Sequence, residues 1–349
     1  MLREGLDIPQ WVKVIPKVEL HAHLSGSVRL RTIRKLLQKP ENVSILQDAE
    51  SLLEGGIKSL EQGFRLFPII HQLIPDSETL RMVVQDVLND FAEENTAYIE
   101  LRTTPRDSRN MSAEEYLKTV LQGVSEYMSA HPTGMVCRVL VSICRHQSTE
   151  VARDIAHIVE RIRTLRPDLG GLIVGFDFSG NPNRGQWEDF EPILRKVRTE
   201  LGLPITVHFA EVLNDKECMQ ILNFKPERIG HAVIMSDLVL ERLMKQEPPI
   251  GVEVCLTSNM LTNSVSHLTE HPVLNHLLPG NHPICICTDD AGIFDTSLSE
   301  EYGQLLRYFP MSRDDTARLA MGALDLAFCE DENVMATVRK RMMKAMKPP

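Results

Sequence analysis

With 349 residues, 43% hydrophobic and 25% charged, the chain can build one large domain or two ordinary ones around a substantial core. A formal charge of −10, from 38 basic against 48 acidic residues, argues against nucleic acid or an anionic membrane surface as partner. It leaves room for a small phosphorylated ligand, which needs only one cationic pocket.

Residues 1–17 lack the apolar core of a signal peptide, and no apolar run is long enough to cross a bilayer. Seven cysteines form no C-x-x-C pair, and Cys255, Cys285 and Cys287 sit in apolar, strand-like runs. Reduced thiols and a cytoplasmic location are expected.

Val18 to Leu24 alternates as a strand, so His21 and His23 share a face. Two imidazoles so placed can grip one divalent ion, or can serve as hydrogen-bonded core histidines. Ser27 to Leu37 reads as a short helix. Gln38 to Pro75 reads as a long connection with helical pieces, and its Gly55-Gly56 pair and Phe64-x-x-Phe67 suggest a lid-like insertion. Asp76 to Phe91 is an amphipathic helix with Leu80, Val83, Val84, Val87, Leu88 and Phe91 on one stripe.

A strand–helix rhythm follows. Strands are expected at Ala97 to Thr103, Val136 to Ile143, Leu172 to Phe178, Pro204 to Phe209, Arg228 to Gly230, Ile250 to Cys255 and Pro283 to Thr288. Helices are expected at Ala113 to Ser129, Thr149 to Leu165, Trp187 to Leu201, near Lys216 to Leu222, and at Asp237 to Gln246, with two or three more after Ser299. Eight nearly continuous apolar strands alternating with helices imply a parallel sheet covered by helices. They favour an α/β fold of the (β/α)8 TIM barrel type, with a helical insertion after the first strand and extra C-terminal helices. An open doubly wound sheet is the alternative, but no glycine-rich phosphate loop follows the first strand. No linker breaks the run, so a single domain spanning 1–349 is expected.

In such a barrel the chemistry sits where the strands exit. The first strand ends in His21 and His23, the second in Arg102-Thr103-Thr104-Pro105-Arg106, and the fourth leads through Asp177 to Ser179-Gly180-Asn181. The fifth gives His208 and Glu211, the sixth His231, the seventh Thr257-Ser258-Asn259, and the eighth Thr288-Asp289-Asp290. Polar residues are expected to be nearly absent earlier in these strands. Closure puts the first and eighth strands side by side, so Asp289 can approach His21 and His23 while His208 reaches across the mouth. Three imidazoles and a carboxylate suit one Zn²⁺ with room for water. Glu211, three residues beyond His208, suits proton transfer if burial raises its pKa. His231 could orient or deprotonate the water, and Asp290, pointing off the opposite face of the chain from Asp289, could bind substrate.

These residues, His21-x-His23, His208-x-x-Glu211, Arg228-Ile229-Gly230-His231, Ser258-Asn259 and Thr288-Asp289-Asp290, resemble the adenosine deaminase family of the amidohydrolase superfamily from Lys17 to about Leu305. The resemblance implies that His21, His23, His208 and Asp289 hold one Zn²⁺ ion. It implies that Glu211 protonates purine N1 and that His231 and Asp290 position and activate the attacking water. Asp290 and the Gly180 backbone would hold the ring, and His23 would also face substrate. Glu100-Leu101-Arg102-Thr103-Thr104-Pro105-Arg106 resembles the adenosine deaminase-like subgroup acting on N6-methyl-AMP. There Thr103, Thr104, Pro105 and Arg106 would bind the 5′-phosphate, with His71 as a second contact from the lid. Ser25 stands where that subgroup usually has Asn, at a sugar or phosphate contact. The implied reaction is N6-methyl-AMP plus water to IMP plus methylamine, by a monomer whose partner is a purine nucleotide. Plain adenosine deaminase, or a non-catalytic purine-binding relative, is the alternative.

Elsewhere, His267, His271, His276 and His282 fit no metal spacing and are expected to be solvated loop residues. Met342, Met343 and Met346 are expected to pack a helix, and Lys340, Arg341 and Lys344 to form a solvated face.

Overall fold

A computed structural model describes residues 8–39, 42, 45, 60–262 and 264–346. Eight strands pair in chain order, each parallel to the next: β1 (Lys17–His23), β2 (Thr96–Thr103), β3 (Val136–Cys144), β4 (Ile173–Ser179), β5 (Ile205–Phe209), β6 (Arg228–His231), β7 (Gly251–Val254) and β8 (Ile284–Ile286). Backbone bonds close the ring just past β8. His23 N–H donates to the Asp289 carbonyl at 3.1 Å, and Asp289 N–H to the His21 carbonyl at 2.8 Å. The (β/α)8 barrel is therefore as expected, and its closure delivers Asp289 to the two β1 histidines.

Local chemistry explains the helix starts. The side chains of Asp76, Ser112, Ser148, Asn214, Ser236 and Ser297 each accept a backbone N–H from the first turn of the helix that follows. Such caps satisfy donors that the helix itself leaves open. The helix expected from Ser27 begins later, at Leu30, because Gly26 and Ser27 are engaged elsewhere. The Gly26 carbonyl accepts from Gly292 and Ile293, and Ser27 N–H turns back to the His23 carbonyl. In the connection after β1, the helix Leu60–Gln72 carries Phe67 and His71; the Gly55-Gly56 pair lies outside the described residues. β8 is shorter than expected because the Thr288 N–H and hydroxyl bond to the Glu19 carboxylate instead of a neighbouring strand.

The barrel interior below the site is charged, against expectation. Glu19, Glu100, Arg102, Asp177, Arg228 and Glu253 are all fully buried. Glu253 accepts from His21 Nδ1 (2.6 Å), Arg102 Nη2 (2.8 Å), Thr206 Oγ1 (2.8 Å) and Arg228 Nε (2.7 Å). Arg102 also reaches Asp177 at 2.9 Å, and Arg228 reaches Glu100 at 2.7 Å. Glu100, Arg102, Asp177, Arg228 and Glu253 thus each have an opposite partner, the condition for tolerating charge in a core, whereas Glu19 is held by the His21 N–H and by the Thr288 N–H and hydroxyl.

The far end of the barrel is sealed by the chain's own tail. Arg228 Nη1 donates to the Leu326 carbonyl at 2.7 Å, its guanidinium lies 3.6 Å over the Phe328 ring, and Phe328 N–H donates to Glu100. In the last helix, Glu332–Met346, Met342 is buried as expected while Met343 is half exposed. Arg341 is not a solvated charge, since it bonds to the Gly134 and Ala97 carbonyls and ties that helix to the barrel. His271 and His282 are likewise buried rather than solvated, each held by hydrogen bonds, whereas His267 and His276 are exposed. All seven cysteines are buried and unpaired. Among the described residues no helix is long and apolar enough to cross a membrane.

Candidate active site

His21 and His23 leave β1, His208 leaves β5, and Asp289 follows β8. Their donor atoms all lie within 4.8 Å of one another. Asp289 Oδ1 is 3.5 Å from both His21 Nε2 and His23 Nε2, and the Nε2 atoms of His23 and His208 are 3.1 Å apart. Nitrogen and oxygen atoms that converge this closely suit a shared cation. His21 Nε2 is buried and has no hydrogen-bond partner. Three of the four donor groups also have a group behind them: Glu253 accepts from His21 Nδ1, the Ser258 hydroxyl donates to Asp289 Oδ2 at 2.6 Å, and Asp177 Oδ1 lies 3.1 Å from His208 Nδ1. Carboxylates behind ligating imidazoles set the ring orientation and leave Nε2 free for metal. The donor set of three nitrogens and one oxygen fits a divalent metal ion.

Glu211, His231 and Asp290 stand around this cluster as expected. His231 Nε2 is 3.8 Å from Glu211 Oε2. Burial pushes the Glu211 carboxyl up to about 6, which keeps a proton available near neutral pH. Burial, with Asp289 and Glu211 close by, also pushes the Asp290 carboxyl well above its usual range. Burial holds the His231 imidazole well below its usual range, hence neutral. The backbone turns left-handed at Ala210 (φ 55°), His231 (φ 66°), Ala232 (φ 54°) and Asp289 (φ 60°). Four non-glycine residues in that region, all at strand exits of the site, mark strain tolerated for geometry. At Asp289 it breaks the strand alternation, so Asp290 lines the same cavity instead of pointing off the opposite face. Gly26 makes room for it, because a Cβ there would fall 1.6 Å from Asp290 Oδ1.

The cavity above the cluster holds about 290 Å³ and runs from Glu211, Asp289 and Asp290 out to Thr104, Arg106 and His71. Ser25, His23, Thr103 and Gly180 line it as well; Pro105 is buried but off its wall. At Gly180 φ is +102° and a Cβ would meet Cys144 Sγ at 2.4 Å, so only glycine presents its backbone here. Arg106 stacks 4.5 Å over the Tyr116 ring and donates to its hydroxyl at 2.9 Å. That hydroxyl also bonds Thr103 at 2.8 Å. Arg106 Nη2 is buried and has no partner among the described residues. Burial, reinforced by the charges of Arg106 and His146, brings His71 down to about 3. An anion at this end would relieve both groups.

The sequence reading passed over the exit of β3, where Cys144, His146 and Gln147 also line the cavity; extending the strand-exit rule to β3 would have found them. It also gave no role to Glu253, Asp177, Ser258 or Asn259, which stand behind the site.

Fold and site together define a hydrolytic barrel enzyme with a group of residues at its strand exits that could hold a metal ion and a protonatable carboxyl beside it. The chain belongs to the adenosine deaminase family, whose model, described as adenosine deaminase, matches residues 16–344. It is 38% identical to the N6-mAMP deaminase of Arabidopsis thaliana, covering 93% of this chain and 95% of that protein. It is 34% identical to the N6-methyl-AMP deaminase of Bos taurus, covering 94% and 93% respectively. The crystal structure of Arabidopsis ADAL complexed with IMP superposes with a TM-score of 0.89 at 37% identity, over 97% of this chain and 99% of that one.

Proposed function

We propose that this chain is a hydrolytic deaminase of N6-substituted purine nucleoside monophosphates, acting on N6-methyl-AMP and water to give IMP and methylamine. The observation that carries the substrate is the cavity wall, where Arg106 Nη2, without a partner among the described residues, and His71 line the same cavity as His23, His208 and Asp289. The named activities of the relatives support the same reading. His21, His23, His208 and Asp289 would hold one zinc ion, which makes water a nucleophile at neutral pH. Glu211, protonated, donates to purine N1 and draws electrons from C6, the carbon attacked. Asp290 and the Gly180 backbone hold the ring, and His231 hydrogen-bonds the attacking oxygen. His23 and Ser25 face the sugar side, and Thr103, Thr104 and Arg106 with His71 take the phosphate, with Pro105 fixing that turn from behind. The site is completed within one chain, which suits a monomer formed as one domain over 1–349. Seven buried unpaired thiols suit the cytoplasm.

The test is the rate of metal-loaded protein on N6-methyl-AMP, AMP, N6-methyladenosine and adenosine side by side. N6-methyl-AMP is expected to turn over best; preference for adenosine would refute the nucleotide assignment.

A further inference from the structure

We infer that His271, acting through Asn259, fixes the proton of His231 on Nε2, so that His231 faces the reacting atoms as a hydrogen-bond donor. Neither His271 nor Asn259 touches the cavity, so both are positioning residues. The assignment deepens the proposed function, and rests on it for the reaction but not for the proton's location.

One donor in this relay, a backbone N–H, has an identity beyond choice. The backbone N–H of Val273 donates to His271 Nδ1 at 3.1 Å, so that nitrogen carries a lone pair. A neutral imidazole with a lone pair on Nδ1 bears its proton on Nε2. His271 Nε2 lies 3.1 Å from Asn259 Oδ1, which accepts that proton's hydrogen bond. With its oxygen so committed, Asn259 turns its amide nitrogen to His231 Nδ1, also at 3.1 Å. The amide can only donate there, so His231 Nδ1 is the acceptor and the His231 proton sits on Nε2. That atom is buried, has no partner among the described residues, and looks toward Glu211.

The relay is rigid as well as directional. His271 and Asn259 are buried at 0% and 1% exposure. The Asn259 carbonyl accepts from Ser264 and Val265, and the His271 carbonyl from Leu274. Burial brings the His271 imidazole down to about 3, so it stays neutral across the working range. The alternative tautomer of His231 would set two N–H groups against each other, at His231 itself or, with the Asn259 amide turned over, at His271 Nε2. An Nε2 donor contributes by orienting and stabilising charge on the attacking oxygen, and the water's proton must go to a carboxylate instead.

The experiment is nitrogen NMR of metal-loaded protein carrying labelled histidine, with kcat and KM measured on the same samples. The native chain is expected to show His231 protonated at Nε2 and bare at Nδ1. Asn259→Asp, which can only accept, is expected to move the proton to Nδ1. His271→Leu is expected to give a mixture of tautomers with kcat about 10- to 100-fold lower, in the range of lost outer-shell contacts, and with KM and bound metal unchanged. His271→Gln, able to accept from Val273 and donate to Asn259, is expected to restore most of the loss. A native His231 protonated at Nδ1 would overturn the inference, as would a His271→Leu protein with native kcat or a defect that Gln does not relieve. If no purine substrate turns over at all, the proposed function fails, while the tautomer read by NMR still decides this inference.

Discussion

Removing the carboxylate of Glu253 tests whether the charged barrel interior and the metal donors form one unit. Burial opposes its ionisation, yet Arg102 and Arg228 hold the Glu253 carboxyl well below the usual range. Glu253→Ala takes an acceptor from four buried donors at once: two guanidiniums, the Thr206 hydroxyl and His21 Nδ1. Arg102 keeps Asp177 and Arg228 keeps Glu100, so neither charge is wholly abandoned. Breaking a buried pair from one side costs about 3–5 kcal/mol. At about 2.1 cal/mol/K of unfolding entropy per residue, a loss near the middle of that range lowers the melting temperature of a chain this long by about 5 °C. The same change frees the His21 ring, and metal affinity is expected to fall about 10- to 100-fold. Thermal unfolding followed by circular dichroism and competition with a chromophoric chelator read the two effects. A surface control, Arg318→Ala, which breaks an exposed pair with Asp315, should move neither by a measurable amount. If Glu253→Ala melted with the native protein and held metal equally well, the coupling between interior charges and ligands argued above would be wrong.

Glu211→Gln should bind metal normally and lose about 10²- to 10⁴-fold in kcat, the range of general acid catalysis; near-native turnover would remove Glu211 as the proton donor. Arg106→Ala should raise KM for a nucleoside monophosphate about 10- to 100-fold, as expected for a charged hydrogen bond, and leave the nucleoside unaffected; equal losses on both would refute the phosphate assignment. In metal-free protein the Glu211 carboxyl should titrate near 6, followed by infrared difference spectra against Glu211→Gln. The sign is set by burial, which favours the neutral acid, and a divalent cation in the cluster should pull the midpoint down. Gly26→Ala places a methyl on the Asp290 carboxylate and should cut turnover with little change in circular dichroism; an active variant would show that Asp290 does not need its present place.

Much of this was legible because barrel strands end in residues whose chemistry is out of keeping with the runs before them. His208 at the end of Ile205–Phe209 with Glu211 just beyond, and Asp289 and Asp290 after Ile284–Ile286, stand out in that way. Glu253 and Arg228 did not. A charged side chain within an apolar strand reads alike whether it meets water or a buried partner from three strands away, and only the closed ring shows which. His271 was hidden for a related reason. It sits among polar loop residues, and its burial comes from Leu256–Leu261 and Val273–Leu277 folding over it, an arrangement with no local periodicity. The left-handed backbone at Asp289 likewise hid the direction of Asp290, since alternation along a strand predicts the opposite face.

The seal beneath the barrel has a bearing on how the chain is made. Glu100 meets the Phe328 amide across 228 positions of sequence, and Arg228 meets the Leu326 carbonyl across 98. During synthesis the early strands therefore emerge with their inner charges lacking the groups that finally enclose them. The lower end of the ring is closed only once residues 326 and 328 have been made. Until then those buried charges lack their cover, and strand edges left open in a partly made sheet are exposed to pairing with other chains. A truncation ahead of Leu324 would keep every residue of the catalytic site and remove the groups that cover Glu100 and Arg228 from below.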